Sequence, residues 1–416
     1  MKVLLVTMYY PPAGGGGVQR PLKLATHLPA LGIETHVLAP DDPKWLHRDD
    51  DLRPPTQAFV HRARYLGPKA RLPSEELRGL TGLDLVLAQT RLAGRRLLLP
   101  DPSVTWAPTA IPAAVRLVRS EGIDVVITTS PPLSMNLIGA AVKRLAGIPW
   151  VADQRDSLVQ NADRRFERKA VQAKEKALQQ VVRLVARRAD AVVAVSESIA
   201  DEVRAFDPAG QVRVIPNGSD FDDFAGLEYR PGERFRITHT GSFFGKRNPR
   251  AFLSALASSG LDDVVARFVG DFRSVDREWV QELGLGDRLE LLDYLPHRRA
   301  LELQRDSEAN LLLLPDAAGR GKVVPSGKIF EYLAAERPIL AAVPTDGAAA
   351  KLVRETGAGV VVGPDDEEGI REALRGLHAR WRAGQLGDGY LSDGERKKLS
   401  RKTRVEELAE LLWSLE

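Results

Sequence analysis

The residues most able to do chemistry lie together in one stretch, Val324-Pro-Ser-Gly-Lys-Ile-Phe-Glu-Tyr-Leu333. Ser326 can cap a helix whose apolar face is Ile329, Phe330, Leu333 and Ala334, which puts Lys328 and Glu331 together on the other side. A carboxylate accepts two hydrogen bonds from a vicinal diol such as ribose, and a lysine at a helix N-terminus, with Gly327 beside it, holds a phosphate. On spacing alone, the plainer reading is an exposed i,i+3 ion pair worth roughly a few tenths of a kcal/mol.

Two loops offer a second kind of chemistry. Gly14-Gly15-Gly16-Gly17 follows the apolar run Val3–Met8 and precedes helical spacing from Val18 to Leu31. Its backbone N–H groups can approach a ligand closely, and the helix behind it favours an anion; a plain turn is the alternative. A later loop, Gly241-Ser242-Phe-Phe-Gly-Lys246-Arg247-Asn248, lies between a strand over Phe235–Thr240 and a helix opened by Pro249. A dinucleotide fingerprint begun at Gly14 needs glycine where Gln19 stands, which weakens a nicotinamide dehydrogenase. Phosphate-loop spacing fails at both Gly241–Lys246, one residue short, and Gly321–Lys328, one too long, so kinase or ATPase chemistry has no support. His27, His36, His47, His61, His239, His297 and His378 form no metal-ligand spacing and read as solvated or packed.

The elements that carry these residues are legible as a rhythm. Strand candidates at Val3–Met8, Ile33–Ala39, Val125–Thr129, Trp150–Asp153, Ala191–Val195 and Val212–Ile215 alternate with helical stretches. The pattern stops near Asn217-Gly218 and restarts at Phe235, with further strands at Ala266–Val269, Leu289–Leu292, Ala309–Leu314, Pro338–Val343 and Gly359–Val362. Val- and Ile-rich strands alternating with helices predict parallel sheets covered on both faces, here two doubly wound α/β domains in tandem. The predicted domains are residues 1–225, 226–385 and a charged helical stretch over 386–416. Val60–Leu99 is the least regular part of the first half; its Arg62, Arg64, Lys69, Arg71, Arg95 and Arg96 form either a solvated excursion or a surface for an acidic substrate or membrane. The uncharged run Val125–Val142 holds Pro131-Pro132 and reads as strand, turn and helix rather than a membrane span. The N-terminus reads as a first strand rather than a signal peptide.

The chain of 416 residues has 44% apolar and 28% charged residues, enough for two or three packed domains and incompatible with a disordered or collagenous class. Fifty-nine Lys+Arg against 56 Asp+Glu leave a net charge of +3, too thinly spread for nucleic acid as a default partner. With no cysteine, disulfides, thiolate nucleophiles and Cys-ligated metal are excluded.

These motifs together resemble glycosyltransferase family 4. The matching pieces are Tyr9-Tyr-Pro-Pro12 with the glycines and Gln19-Arg20, Thr129-Ser-Pro-Pro132, Gly147-Ile-Pro-Trp-Val-Ala-Asp-Gln-Arg-Asp156, Val195-Ser-Glu-Ser198, Ile215-Pro-Asn-Gly218, Gly241–Arg247 and Ser326-Gly-Lys-Ile-Phe-Glu-Tyr-Leu333. They run in family order over nearly the whole chain. The resemblance implies the GT-B fold, α/β with two facing Rossmann-like domains and a cleft between them, and a retaining, metal-independent transferase with a nucleoside-diphosphate sugar as co-substrate and no cofactor. It makes Glu331 the second acid of the family's Glu-x7-Glu motif, on the donor ribose, with the first acid's place taken by Val323, so that backbone around Arg320–Val324 replaces the usual contact to the sugar. Lys246 and Arg247 match the basic pair on the diphosphate, with Lys328 a third cation. Gly15, Gly16, Gly17, Gly241, Ser242, Ser326 and Gly327 fall in the donor-binding loops, and Arg155-Asp156 stands where many members carry a His-Asp pair on the acceptor side. The C-terminal helix is expected to cross back to the N-terminal domain. A saccharide or lipid-linked acceptor and a cytoplasmic enzyme with peripheral membrane contact fit the same picture. A GT-B epimerase, or a non-catalytic nucleotide-sugar-binding scaffold favoured by Val323, are the alternatives.

Overall fold

Continuous apolar runs become strands because both of their faces are covered. In the computed structural model, Val3 and Leu5 enter one core while Leu4 and Val6 enter another, on opposite sides of the same strand. The model describes all residues except 43–46, 68–80, 158–168, 244–246, 318–319, 324 and 388.

The chain divides into two compact units, Met1–Pro216 with Arg404–Glu416, and Asn217–Thr403. The first holds β1 (Lys2–Val6), β2 (Glu34–Pro40), β3 (Ala58–Ala63), β4 (Val125–Ser130), β5 (Trp150–Gln154), β6 (Ala191–Ala194) and β7 (Gln211–Val214). They form a parallel sheet in the order β3-β2-β1-β4-β5-β6-β7. The second unit holds β8 (Phe235–Thr240), β9 (Val264–Val269), β10 (Leu289–Leu292), β11 (Ala309–Leu313), β12 (Ile339–Ala342) and β13 (Gly359–Val362), in the parallel order β10-β9-β8-β11-β12-β13. In each sheet the first strand of the unit, β1 or β8, sits where the strand order reverses. The connections leaving the carboxyl ends of the neighbours β1 and β4, and of β8 and β11, run in opposite directions along their sheets, opening a crevice there.

Three expectations are corrected. The division falls after Pro216 rather than after residue 225, because Phe224, in the 3-10 turn Phe221–Phe224, packs against Leu301, Ala334 and Ala335 of the second unit. The irregular stretch Val60–Leu99 contains the edge strand β3 and the helix Gly82–Leu97. Edge position explains why β3 reads poorly, since it carries His61 and Arg62 where a central strand would carry apolar side chains. Arg62 turns its guanidinium onto the carbonyls of Pro40, 3.1 Å away, and Pro11, and so helps close the sheet edge. Lys69 and Arg71 lie outside the described residues.

The C-terminal stretch is two helices, Asp393–Leu399 and Arg401–Trp413, not one. Ser400 breaks it by bridging to Ser219: the Ser219 N–H donates to the Leu399 carbonyl at 2.7 Å and Arg401 N–H to the Ser219 carbonyl at 3.0 Å. Val405, Leu408, Leu411 and Leu412 of the last helix then enter the core beneath β1 and β2. Among the described residues no helix is long and apolar enough to cross a membrane.

Candidate active site

The loop after β8 lies at the switch point of the second sheet, and a glycine makes its first step possible. Gly241 has φ +115, a conformation side chains rarely adopt, and a Cβ placed there would lie 2.4 Å from Lys328 Cε and 2.5 Å from Nζ. Gly270 (φ +120) closes the other side, where a Cβ would come within 2.9 Å of the Gly241 carbonyl carbon. The Lys328 Nζ therefore rests directly on bare backbone.

Lys328 Nζ donates to His239 Nε2 at 3.1 Å, while His239 Nδ1 lies 2.8 Å from the Leu311 carbonyl. A carbonyl only accepts, so Nδ1 carries the imidazole proton and Nε2 offers its lone pair. His239 is fully buried and stacked on Phe243, ring centres 5.0 Å apart. Burial, and then the charge of Lys328, hold its pKa well below the usual histidine range. Burial, and then the neighbouring charge of Arg247, push Lys328 well below the usual lysine range, with Glu331 acting the other way. Arg247 is half-buried, and that burial lowers its pKa as well.

Glu331 sits one turn further along the helix Gly327–Ala335. Its Oε2 accepts from Gln304 Nε2 at 3.0 Å, and the same nitrogen donates to Thr240 Oγ1 at 2.9 Å. Thr240 N–H donates to Tyr332 Oη at 3.0 Å, so β8, the helix His297–Arg305 and the helix Gly327–Ala335 are tied at one point. The i,i+3 ion pair expected of Lys328 and Glu331 does not form: the lysine turns to β8 and the carboxylate to Gln304. Ser326 occupies the N-cap position without a side-chain capping bond, because the Ile329 N–H donates to the Ser326 carbonyl, 3.1 Å away. Gly327 is exposed at the helix start. Ser242 exchanges hydrogen bonds with Asp271, donating to its carboxylate at 2.9 Å and accepting its N–H at 3.1 Å. Val323 is half-buried in the short helix Arg320–Val323. Lys246 lies outside the described residues.

The glycine loop after β1 occupies the same position in the first sheet. Gly15 has φ +87, Gly16 is exposed, and Gly17 lies against the Tyr9 ring, which a Cβ would meet at 3.2 Å. Arg155, just beyond β5, binds this loop to the end of β4: its guanidinium donates to the carbonyls of Gly17 at 2.8 Å, Pro131 at 2.9 Å and Ser130 at 3.4 Å. Asp156 is exposed and makes no ion pair with Arg155. Beneath the loop, Arg20 and Asp153 form a buried fork, with Arg20 Nε 3.0 Å from both carboxylate oxygens and Nη2 2.8 Å from Oδ1.

The residues expected at the site thus gather in two clusters. Gly241, Ser242, Arg247, Ser326, Gly327, Lys328 and Glu331 belong to the second unit, and Gly15, Gly16, Gly17, Arg155 and Asp156 to the first. His239, Thr240 and Gln304 carry no motif and escape a sequence reading, while Tyr332 lies in the Ser326–Leu333 motif with no role assigned to it there. Only the repeated strand ending His239-Thr240-Gly241 hints at them.

Two Rossmann-like parallel-sheet units with glycine loops at both switch points define a GT-B protein. Residues 15–218 match the family model described as a glycosyl transferase 4-like domain. No curated protein sequence matches the chain. Sucrose-phosphate synthase from Thermosynechococcus elongatus superposes with a TM-score of 0.71 at 16% identity, over 100% of this chain and 98% of that one. HepE of Anabaena, in complex with UDP and glucose, gives 0.62 at 18% identity over 100% of both chains. The UDP-GlcNAc 2-epimerase of Neisseria meningitidis bound to UDP-GlcNAc gives 0.52 at 12% identity, again over 100% of both.

Gly241→Ala tests the contact between the backbone and the Lys328 amine. The strained φ costs about 1–3 kcal/mol, and Lys328 must leave His239 to make room. Thermal unfolding should show the loss of stability, and nucleotide titration an affinity lower by roughly tenfold. Wild-type values in both would contradict the close packing.

Proposed function

We propose that this chain is a retaining, metal-independent glycosyltransferase, moving a sugar from a nucleoside-diphosphate sugar to a glycan, glycolipid or small-molecule acceptor in cell-surface polysaccharide assembly. The observation that carries this reading is the gathering of Lys328 and Arg247 at the carboxyl end of β8, with Glu331 one helical turn from Lys328.

Breaking the bond between the anomeric carbon and a diphosphate puts growing negative charge on the phosphate while the sugar becomes oxocarbenium-like. Cations fixed before the reaction stabilise that charge without reorganising. Arg247, Lys246 and Lys328 fill this role, taking the place a divalent ion holds in other transferases. Gly241, Ser242, Ser326 and Gly327 bring backbone close to the donor, and Glu331 accepts from both ribose hydroxyls. Gln304 holds that carboxylate in position. Gly15, Gly16 and Gly17, in the first unit's loop, are read as donor-binding residues as well. Arg155 acts through that loop as a positioning residue, and Asp156, exposed beside it, orients the acceptor. Retention then follows from attack on the same face, with the leaving phosphate taking the acceptor's proton. A cytoplasmic enzyme touching the inner face of the membrane suits a lipid-linked acceptor.

A binding screen with UDP, GDP, ADP and dTDP selects the base, followed by transfer assays on Glu331→Ala. Hydrogen bonds to a charged group contribute about 1.5–3 kcal/mol, so the variant should raise KM for the donor by roughly 10- to 100-fold with kcat changed less. Unchanged donor KM would remove Glu331 from the ribose. The epimerases that share this fold favour one other reading, distinguished by product formed with no acceptor present.

A further inference from the structure

The cation at Gly241 is built unlike the others. Lys328 is half-buried, and its hydrogen-bond partner is not a carboxylate but the lone pair of a neutral imidazole. His239 cannot offer anything else, because its Nδ1–H is held by the Leu311 carbonyl and its ring is packed against Phe243 and Phe268. The charged groups around Lys328 are Arg247 from the loop after β8 and Glu331 from its own helix. Glu331 is shared with Gln304, and Tyr332, also acted on by Arg247, is bonded to Thr240. A second positive charge beside Arg247, in a desolvated place, is unfavourable until an anion arrives.

We propose that Lys328 and His239 form a proton-accepting pair, so that binding of a nucleoside diphosphate at this loop draws one proton from solvent onto Lys328 Nζ. This rests on the reading of the loop as a diphosphate site. The step balances simply: the Nζ lone pair forms a new N–H bond, the buffer loses a proton, and nothing is oxidised or reduced. His239 is a positioning residue that keeps an acceptor facing Nζ in both states, so the side chain stays aimed while its charge changes. The diphosphate thereby meets an ammonium that its own charge has called up, and the empty site avoids two adjacent buried cations.

The test is isothermal titration calorimetry of the full chain with UDP, GDP, ADP and dTDP, in buffers of different ionisation enthalpy. Above about pH 7.5 the nucleotide's terminal phosphate, with a second pKa near 6, is already ionised and contributes no proton of its own. For the nucleotide that binds, the measured enthalpy should vary linearly with buffer ionisation enthalpy, and the slope should approach uptake of about one proton as pH rises. Lys328→Arg, whose charge is permanent, should bind with a slope near zero. His239→Leu removes the acceptor that favours the ammonium and should move the uptake to lower pH, a shift that a merely structural role would not produce. A nucleotide that binds with buffer-independent enthalpy at every pH overturns the proposal while leaving the diphosphate reading intact. Failure of all four to bind overturns that reading and this proposal with it.

Discussion

Asp153→Ala should destabilise the first unit by about 3–5 kcal/mol, the cost of removing one partner from a buried ion pair. Both members of the pair are nearly inaccessible: Asp153 is 1% exposed and Arg20 6%. The carboxylate accepts Arg20 through two nitrogens and the Thr129 hydroxyl at 2.9 Å, while the guanidinium also reaches the carbonyls of Ile215 at 3.4 Å and Pro216 at 3.3 Å. Alanine at 153 leaves the Arg20 guanidinium in the interior without its carboxylate, and the hydroxyl of Thr129 loses its acceptor too. The consequence reaches the site, because Arg20 is the second residue of the helix Gln19–His27 that starts right after the glycine loop. Urea unfolding measures the effect. The double variant Arg20→Met with Asp153→Leu should lie closer to wild type than either single change, since it leaves no charge unpaired. An unchanged midpoint for Asp153→Ala would show that the pair is not buried as described.

That pair also marks how far a sequence can be read. The strand rhythm was legible because β1, β4 and β11 carry apolar side chains on both faces, which leaves few alternatives for runs such as Val125–Ser130 or Ala309–Leu313. The two switch-point loops were legible because each holds a glycine at positive φ, Gly241 at +115 directly after β8 and Gly15 at +87 in the loop after β1. What escaped depends on contacts distant in the chain. Asp153 could be read as the end of a buried strand, but its partner lies 133 residues away and no spacing rule joins them. Lys328 and Glu331 read as a pair because they are neighbours on a helix, whereas His239, 89 residues from Lys328, and Gln304, 27 from Glu331, take them apart. The break at Ser400 is of the same kind, since Ser219 supplies the bridge that interrupts an otherwise continuous charged helix. Strand β3 escaped for a local reason: an edge strand needs only one covered side, so its polar residues hide the period.

Arg247→Ala should lower kcat/KM for transfer by about a hundredfold or more, corresponding to roughly 3 kcal/mol of lost transition-state stabilisation. Arg247 is half-buried, and burial works against its charge, so its guanidinium is poorly solvated before any ligand arrives and interacts strongly with an anion that replaces water. On the proposed reading the diphosphate already carries charge in the ground state, and Lys328 would share it. In the transition state the extra charge appears on the leaving phosphate, and the fixed fork of an arginine can meet it with two parallel donors. The loss should therefore fall mainly on kcat, in contrast to Glu331→Ala, whose proposed ribose contact would be the same before and during bond breaking, so that its loss should fall mainly on KM. Arg247→Lys keeps the charge but not the fork and should recover only part of the rate. Initial rates over a range of donor concentrations separate the two variants. If Arg247→Ala instead raised KM alone, the residue would bind donor without stabilising the departing diphosphate; wild-type rates would remove it from the diphosphate altogether.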